Sequence, residues 1–475
     1  MAFRLLLVEP PKRYWFVMGD YNPPPTSLLI LAAYVKRELP EVEVDLVDCQ
    51  GQGLDWDGVE RAISSHRPDM VLASGYTCNA YVCARVAETA KRVDPDIVTV
   101  MGGQHFSFTS EESLNTYPEI DVIVRGEGEQ TLVELVRAAT GKQDLATVRG
   151  ITFRHDGKVF RNPDRPMIQD LDTLPLPAYE MVEDSIRNYH FTMMAGRNKV
   201  YLVFEGARGC EHKCSFCTQW VHWGGCWRTK SAKRIADEIE HLYDNFGGRF
   251  LWMTDDNFEY SRRASQLHEE LKARPCHKDV MLFWQVRTDD VVKHPDLVTK
   301  MRDVGNYWVL IGVESDDQEN LDEYGKGIKA SQAKDCMKVL GDNDVFSQAM
   351  YVIGARRDTA VSIERLREWS QTLGSKLNIY TVLTPFPGTR YFEEARAKGW
   401  IENENYADYD MVHAIMPTET LSRSEVQSEL YACYKRQYGS LSRNIQGFFS
   451  RNKLERTMYR HMASQRVLRN LRDLI

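Results

Sequence analysis

Three cysteines, Cys210, Cys214 and Cys217, lie in a Cys-x3-Cys-x2-Cys run and constrain this 475-residue chain more than any other feature. Thiolates are the usual ligands of iron–sulfur clusters, which normally take four. Three close ligands hold three irons of a [4Fe–4S] cube and leave the fourth iron open. A small molecule can bind there and receive an electron. Two rival readings exist. Zinc sites use Cys and His ligands, usually four in total, and the nearby His212 and His222 could complete such a set. A disulfide suits the run less, because three close thiols are odd in number and no secretory signal is read at the start of the chain. Most of the other seven cysteines read as inert buried thiols.

The segment Gly-Ala-Arg-Gly-Cys-Glu-His-Lys-Cys-Ser-Phe-Cys resembles the signature of the radical S-adenosylmethionine (SAM) superfamily, and Phe216 before the last cysteine strengthens the match. The resemblance implies that Cys210, Cys214 and Cys217 hold a [4Fe–4S] cluster. The open iron would chelate the amino and carboxylate groups of SAM. Reductive cleavage would then give methionine and a 5′-deoxyadenosyl radical, which can abstract hydrogen from an unactivated carbon.

Length allows two or three domains, and 43% hydrophobic with 27% charged residues is ordinary for a soluble globular protein. No run of 18 apolar residues is present, so no spanning helix is expected. The opening Phe3–Val8 reads as a buried strand, and ten cysteines without an export signal point to a reducing cytoplasm. The net charge of −8 is uneven: residues 435–475 carry ten Lys or Arg against two Asp or Glu, a local +8 that leaves −16 elsewhere. Leu454, Met458, Met462, Leu468, Leu471 and Ile475 fall near helical spacing within that basic tail. A terminal helix packed on the body is the plain reading, with contact to an anionic membrane surface as the alternative. Nucleic acid is not expected, because no binding motif accompanies the charge.

From the start, apolar runs of strand length alternate with helical patterns. Strands are expected at 3–8, 42–47, 70–74, 97–101 and 121–124, and helices at 27–39, 56–65, 81–93 and 130–140. The prolines Pro23, Pro24 and Pro25 suit a helix start. Such alternation gives a doubly wound parallel sheet, whose ligands bind at the carboxyl ends of the strands. Those ends carry Ser74, Tyr76 and Thr77, then Gly102, Gly103 and His105, then Gly126, Glu127, Gly128 and Glu129. Glycines there let a large flat ligand approach the backbone, although each Gly pair taken alone reads as a turn.

Together these motifs resemble the cobalamin-binding domain found before many radical SAM cores, over roughly residues 1–140. The resemblance implies cobalamin contacts from the strand-end residues just named. Cobalamin domains that ligate through histidine carry Asp-x-His-x-x-Gly after the second strand. Asp48-Cys49-Gln50-Gly51-Gln52-Gly53 matches that frame with Gln50 in the histidine position. A neutral amide is a poor cobalt ligand beside imidazole. Asp48 and Gln50 are therefore placed near the lower face, with no ligand assigned there. His105 is expected to line the pocket rather than ligate, and His66, His155 and His190 read as ordinary polar residues. Residues 141–195 form a connector, with a hairpin around His155-Asp156-Gly157 and an extended linker at 170–177.

From Lys199 the alternation resumes. Strands are expected at 200–204, 250–254, 281–286, 308–313, 347–353 and 377–383, enough for a partial (β/α)6 barrel over 196–395. A helical, basic region over 396–475 follows. Catalytic groups of parallel barrels gather at the carboxyl ends of strands. The superfamily resemblance implies roles there. Asp255 and Asp256 would meet the SAM amino group and Arg287 its carboxylate. Glu314 and Ser315 would meet the ribose. Ile353, Gly354, Pro385 and Phe386 would meet the adenine. A helix cap or a surface charge is the plain reading of each acidic residue.

Trp220, Trp223 and Trp227 follow the cysteines within eight residues, either packing under a cluster or walling a corrin or substrate. This stretch and residues 406–417 resemble the anaerobic magnesium-protoporphyrin monomethyl ester oxidative cyclase family. Asp255-Asp256-Asn257-Phe258 and Asn22-Pro23-Pro24-Pro25-Thr26 depart from that family's pattern. The reading is a cytoplasmic cobalamin-dependent radical SAM enzyme acting on a bulky, hydrophobic small molecule, tetrapyrrole or lipid-like. Electrons would come from a donor such as flavodoxin or ferredoxin. C-methylation is favoured, with oxidative cyclisation or hydroxylation as the runner-up. Both need the cobalt face and the SAM 5′ carbon to point into one cavity between domains. Two other classes stay open. One is a cobalamin-responsive binding protein with a vestigial cluster. The other is a methylthiotransferase with a second cluster, although Cys49, Cys78 and Cys83 do not match the cysteine arrangement of that class.

Overall fold

A computed structural model describes residues 2–12, 15–16, 19–191, 199–439 and 441–465. Leu468, Leu471 and Ile475 of the expected terminal pattern lie outside the described residues, as does the Met462 side chain. The chain divides into two compact units. One comprises Met1–Arg13, Pro24–Asn188 and Val221–Gly224, and the other Tyr14–Pro23, Tyr189–Trp220 and Gly225–Ile475. Among the described residues no helix is long and apolar enough to cross a membrane.

The first unit is built on a seven-stranded sheet. Its order is Glu43–Asp48, Arg4–Glu9, Met70–Ser74, Val98–Gly102, Val122–Val124, Ile151–His155, Lys158–Arg161. The first five strands are parallel. Leu5, Leu6, Leu7 and Val8 are all buried, as a strand covered on both faces requires. Successive side chains alternate between faces. Leu6, Val8, Val71 and Ala73 meet Val59 and Ile63 of the helix Trp56–His66 and Val86 and Ala87 of the helix Ala80–Val93. The helix Thr26–Glu38 packs beside Glu129–Ala139.

The sheet is mixed rather than wholly parallel. Val122–Val124 pairs antiparallel with Ile151–His155, which turns back into Lys158–Arg161. The hairpin turn takes φ of +48° at Asp156 and +73° at Gly157. Two successive left-handed residues match the twist of the flanking strands, which is why Asp-Gly stands there. Period-2 patterning cannot show which sheet a hairpin joins, so the sequence left this one in the connector. The linker also differs from an extended strand. Leu171 and Leu174 are buried, and Leu171–Thr173 and Tyr179–Asn188 form short 3-10 turns.

The second unit holds a six-stranded parallel sheet in sequential order. Its strands are Tyr201–Phe204, Phe250–Met253, Met281–Arg287, Asn306–Glu314, Phe346–Ile353 and Leu377–Val382. Neighbouring strands pair in parallel, with register shifts at Leu282/Phe283 and at Gly312/Glu314. Helices such as Ala232–Phe246 and Ala360–Thr372 alternate with them. Side-chain caps start these helices: Ser231 accepts from the Arg234 N–H, and Thr359 and Ser362 form a reciprocal capping box. Phe283 packs 5.7 Å from Trp308, and Trp308 4.2 Å from Phe346. This aromatic row lies near the amino ends of adjacent strands and fills that end of the barrel.

Among the described residues the sheet does not close, so its last strand has a free side. That side is covered locally. The Tyr434 hydroxyl, on helix Arg423–Tyr438, donates to the Tyr380 carbonyl at 2.6 Å and accepts from the Tyr380 N–H at 3.1 Å. The Val382 N–H reaches the Met411 carbonyl at 2.8 Å. A small antiparallel sheet of Trp15–Phe16, Gly19–Asn22 and His190–Phe191 completes this unit. Its third strand is far in sequence from the other two, and all are too short to carry a pattern.

Candidate active site

The cysteine loop leaves the carboxyl end of the strand Tyr201–Phe204. Its entry is tied down by buried charge. Asp255 is fully buried, and its Oδ1 accepts from the Gly206 N–H at 2.6 Å and the Ala207 N–H at 2.7 Å. Arg263 Nη2 lies 3.6 Å from Asp255 Oδ2, and Arg263 Nη1 donates to the Gly206 carbonyl at 3.2 Å. A Cβ at Gly206 would come 2.6 Å from Met253 Sδ, so glycine is required by space. Burial, partly offset by Arg263 and the two N–H groups, pushes the Asp255 carboxyl up to about 6. Glu205 is opposed by burial too, but Arg208 and Lys230 outweigh it and hold its carboxyl below the usual range. Lys230 and Glu238 form a buried pair at 2.8 Å alongside.

Farther along, the loop is held by the segment 323–326. The Ser215 N–H donates to the Tyr324 carbonyl at 2.8 Å and Ser215 Oγ to the Glu323 carbonyl at 3.3 Å. Trp220 Nε1 donates to the Cys214 carbonyl at 2.9 Å. Phe216 meets Tyr324 edge-on at 5.2 Å and packs against Val352, Leu383 and Tyr391. Trp220 therefore braces the loop backbone. Burial raises all three thiols, Cys217 to about 12.

The other strand ends gather around the same segment. Arg287 Nη2 donates to the Lys326 carbonyl at 2.7 Å, and Arg287 Nε to Asp289 Oδ1 at 3.0 Å. Lys326 Nζ sits 2.5 Å from Glu314 Oε1. Glu314 has φ of +64°, at a register shift in its strand. A non-glycine residue held in the left-handed region stores strain that only a constrained site keeps. Ser315 is buried, with Oγ accepting from the Asp317 N–H at 3.1 Å. Ile353 is buried, and a Cβ at Gly354 would meet Val426 at 3.1 Å. Pro385 is buried, and Phe386 lies half-buried, 6.5 Å from Tyr409.

Asp255 and Gly354 also have structural engagements of their own. Asp255 is enclosed and committed to loop backbone and Arg263, so the half-buried Asp256 is the exposed member of the pair. A Cβ on Gly354 would face Val426 and Val382. Sequence reasoning missed the brace at 323–326. Its signal was Gly325-Lys326-Gly327, where both glycines take positive φ, +64° and +67°.

In the first unit the strand order Glu43–Asp48, Arg4–Glu9, Met70–Ser74 reverses beside the first strand, which makes a switch point. The loops after Met70–Ser74, Val98–Gly102 and Val122–Val124 lie in adjacent positions. Gly103 has φ of +91°, and a Cβ there would lie 2.7 Å from both the Gly75 carbonyl and Ser74 Oγ. Ser107 Oγ donates to the Gly103 carbonyl at 2.8 Å and accepts from the Gly126 N–H at 3.1 Å, tying two loops together. Gly126 has φ of +69°, and Gly128 abuts Leu31. Glu127 is buried and accepts from the Ile168 N–H at 2.6 Å, and Glu129 is buried. Thr77 and Gly102 are buried, whereas Tyr76 is 56% exposed on this edge.

Asp48 and Gln50 have hydrogen-bond partners within their own unit. Asp48 is fully buried and caps the short helix Cys49–Gln52, accepting from the Gln50 and Gly51 N–H groups at 3.1 and 3.0 Å. Gln50 Nε2 donates to the Pro10 and Lys12 carbonyls. His105 is 1% exposed, and burial drops its imidazole to about 4. Its neutral form is therefore favoured in the folded state and its charged form in the unfolded state below about pH 6.5. The stability this group confers is intact above pH 6.5 and is lost as pH falls toward 4. Between pH 7.5 and 5 the loss is about 2 kcal/mol. Urea unfolding of His105→Gln, compared with the parent at both pH values, should show that increment absent. Equal pH slopes would refute it.

Residues 19–136 match the B12 binding domain family and residues 204–366 the radical SAM superfamily. The anaerobic magnesium-protoporphyrin IX monomethyl ester cyclase of Rubrivivax gelatinosus is 31% identical over 87% of this chain and 74% of its own. An uncharacterized methyltransferase of Pyrococcus horikoshii is 27% identical over 91% of this chain and 92% of its own. In fold, the chain superposes on the radical SAM methyltransferase TsrM from Kitasatospora setae, solved with cobalamin and a [4Fe-4S] cluster bound. The TM-score is 0.73 at 16% identity, covering 100% of both chains.

The chain belongs to the cobalamin-binding radical SAM family. It is an enzyme that uses cobalamin, SAM and a [4Fe–4S] cluster on a substrate carbon. The residues present fit these groups. Three free thiols in one braced loop are the donor set of a cube with an open iron. Among the described residues no three His, Cys, Asp or Glu side chains converge on a single-ion site. A cube takes one thiolate at each iron, so its ligands stand apart around a cage. The glycine-lined edge of the first unit offers backbone to a flat macrocycle. The Gln50 amide is spent on the Pro10 and Lys12 carbonyls.

Proposed function

We propose that this protein C-methylates an unactivated carbon of a bulky, hydrophobic small molecule, tetrapyrrole or lipid-like. When bound, the reduced cluster and SAM supply a 5′-deoxyadenosyl radical and cobalamin supplies the methyl group. In this reading Cys210, Cys214 and Cys217 hold the cluster. Asp256 accepts from the SAM ammonium and Arg287 donates to its carboxylate. Arg287 already spans Asp289 and the Lys326 carbonyl, which presets its fork. Glu314, Ser315, Ile353, Pro385 and Phe386 line the nucleoside side. Tyr76, Thr77, Ser74, Gly102, Gly103, Gly126 and Gly128 border the corrin. Flavodoxin or ferredoxin is the electron donor.

The observation that carries methylation is the end-to-end likeness to a methyltransferase, 91% of this chain and 92% of that one. The 31% identity to the cyclase favours a second reading, oxidative cyclisation or hydroxylation. Turnover of candidate substrates with methyl-deuterated SAM separates the two. A labelled methyl in the product is expected. Oxygen or a new ring without label would replace the first reading by the second.

A further inference from the structure

The C-terminal region carries a surface that the chemistry above does not use. The helices Leu441–Phe448 and Lys453–Gln465 form a hairpin. Gly447 lies against the Tyr459 ring and leaves no room for a Cβ. Leu454, Met458 and Tyr459 are buried, so the second helix is the anchored one. The first helix turns an apolar face outward. Ile445 is 51% exposed, Phe448 37% and Phe449 71%. Positions 445, 448 and 449 stand at i, i+3 and i+4, one stripe of helix running into the turn. Exposed basic residues accompany it: Arg451 and Lys453 follow in the chain, and the Arg460 guanidinium lies 5.0 Å over the Phe448 ring.

We propose that this hairpin tip docks on an anionic lipid bilayer. Phe448, Phe449 and Ile445 would enter the headgroup–acyl boundary, and Arg451, Lys453 and Arg460 would meet lipid phosphates. An outward stripe of aromatic and aliphatic residues rimmed by Lys and Arg is what an interfacial element presents. Charge favours a bilayer over a second copy of this chain. Residues 435–475 carry a local +8 while the rest of the chain carries −16. A twofold contact through the tip would set Arg451, Lys453 and Arg460 against their own copies. An anionic bilayer attracts the tip and repels the remainder, so the same charges also orient the molecule.

The test uses the full chain and sedimentation with two kinds of vesicle. One is phosphatidylcholine alone, and the other phosphatidylcholine with phosphatidylglycerol in equal parts. Binding to the anionic vesicles is expected, falling as salt rises. Phe449→Ser and the pair Arg451→Glu with Lys453→Glu should each weaken it by about tenfold or more. These positions are exposed, so melting temperature and iron content should stay at parental values. No binding to anionic vesicles overturns the proposal, as does binding that ignores both variants. A concentration-dependent dimer by light scattering, abolished by Phe449→Ser, would overturn it in favour of self-association.

Discussion

Replacing Cys210, Cys214 and Cys217 with alanine will leave a protein that reconstitutes no cube and does not cleave SAM. The parent, reconstituted without oxygen, should bind about four irons per chain. Each single alanine variant should lose the cubane absorption, because one ligand held in a braced loop is not replaced by a neighbour. Two controls sharpen the result. Cys226 is exposed and lies beyond the loop, so Cys226→Ala should keep its iron. His212→Ala should keep it as well, since three thiolates hold a cube with one open iron and no imidazole is needed. If the triple variant still bound about four irons, the assignment of these thiols would fail. About eight irons in the parent would point to a second cluster and to the methylthiotransferase class.

The second large effect is expected at Asp255. Asp255→Ala removes the acceptor for two backbone N–H groups and leaves Arg263 buried without its carboxylate. Breaking a buried ion pair from one side destabilises by about 3–5 kcal/mol. Thermal unfolding should show a lower midpoint for the barrel transition. Amide exchange at Gly206 and Ala207 should speed up while exchange in the first unit is unchanged. Asp255→Asn, which retains one acceptor oxygen, should lose less. A direct contact with the SAM ammonium predicts the opposite pattern: weaker SAM binding with an unchanged melting profile. That outcome would return Asp255 to the role its sequence neighbourhood suggested.

Much of the architecture could be read from the residues because both sheets are parallel where it matters. Buried parallel strands are short apolar runs, and the six barrel strands and five of the first sheet announce themselves that way. The cysteine run stood out by its spacing together with its likeness to the radical SAM signature. What escaped has a common cause. Asp255, Asp48 and Gln50 were read by the motif they sit in, whereas their partners, Gly206, Gly51 and Pro10, are set by folding. A carboxylate that caps a loop and one that receives a ligand look alike in a string of letters. Burial separates them, and Asp255 and Asp48 are fully enclosed. The hairpin at 151–161 and the small sheet joining 19–22 to 190–191 escaped because pairing partners lie outside any local pattern. The brace at 323–326 acts through main-chain carbonyls, which any sequence could provide.

An unfinished barrel presents a rim of unsatisfied amide groups, and such rims recruit strands from other molecules. By lying across Tyr380 and occupying both of its main-chain groups, Tyr434 acts as a gatekeeper against that recruitment. The helical end of the chain is thus a fixture of the catalytic core. Cut away from it, a barrel fragment would gain a sticky seam, prone to domain swapping and fibrous association rather than to independent folding.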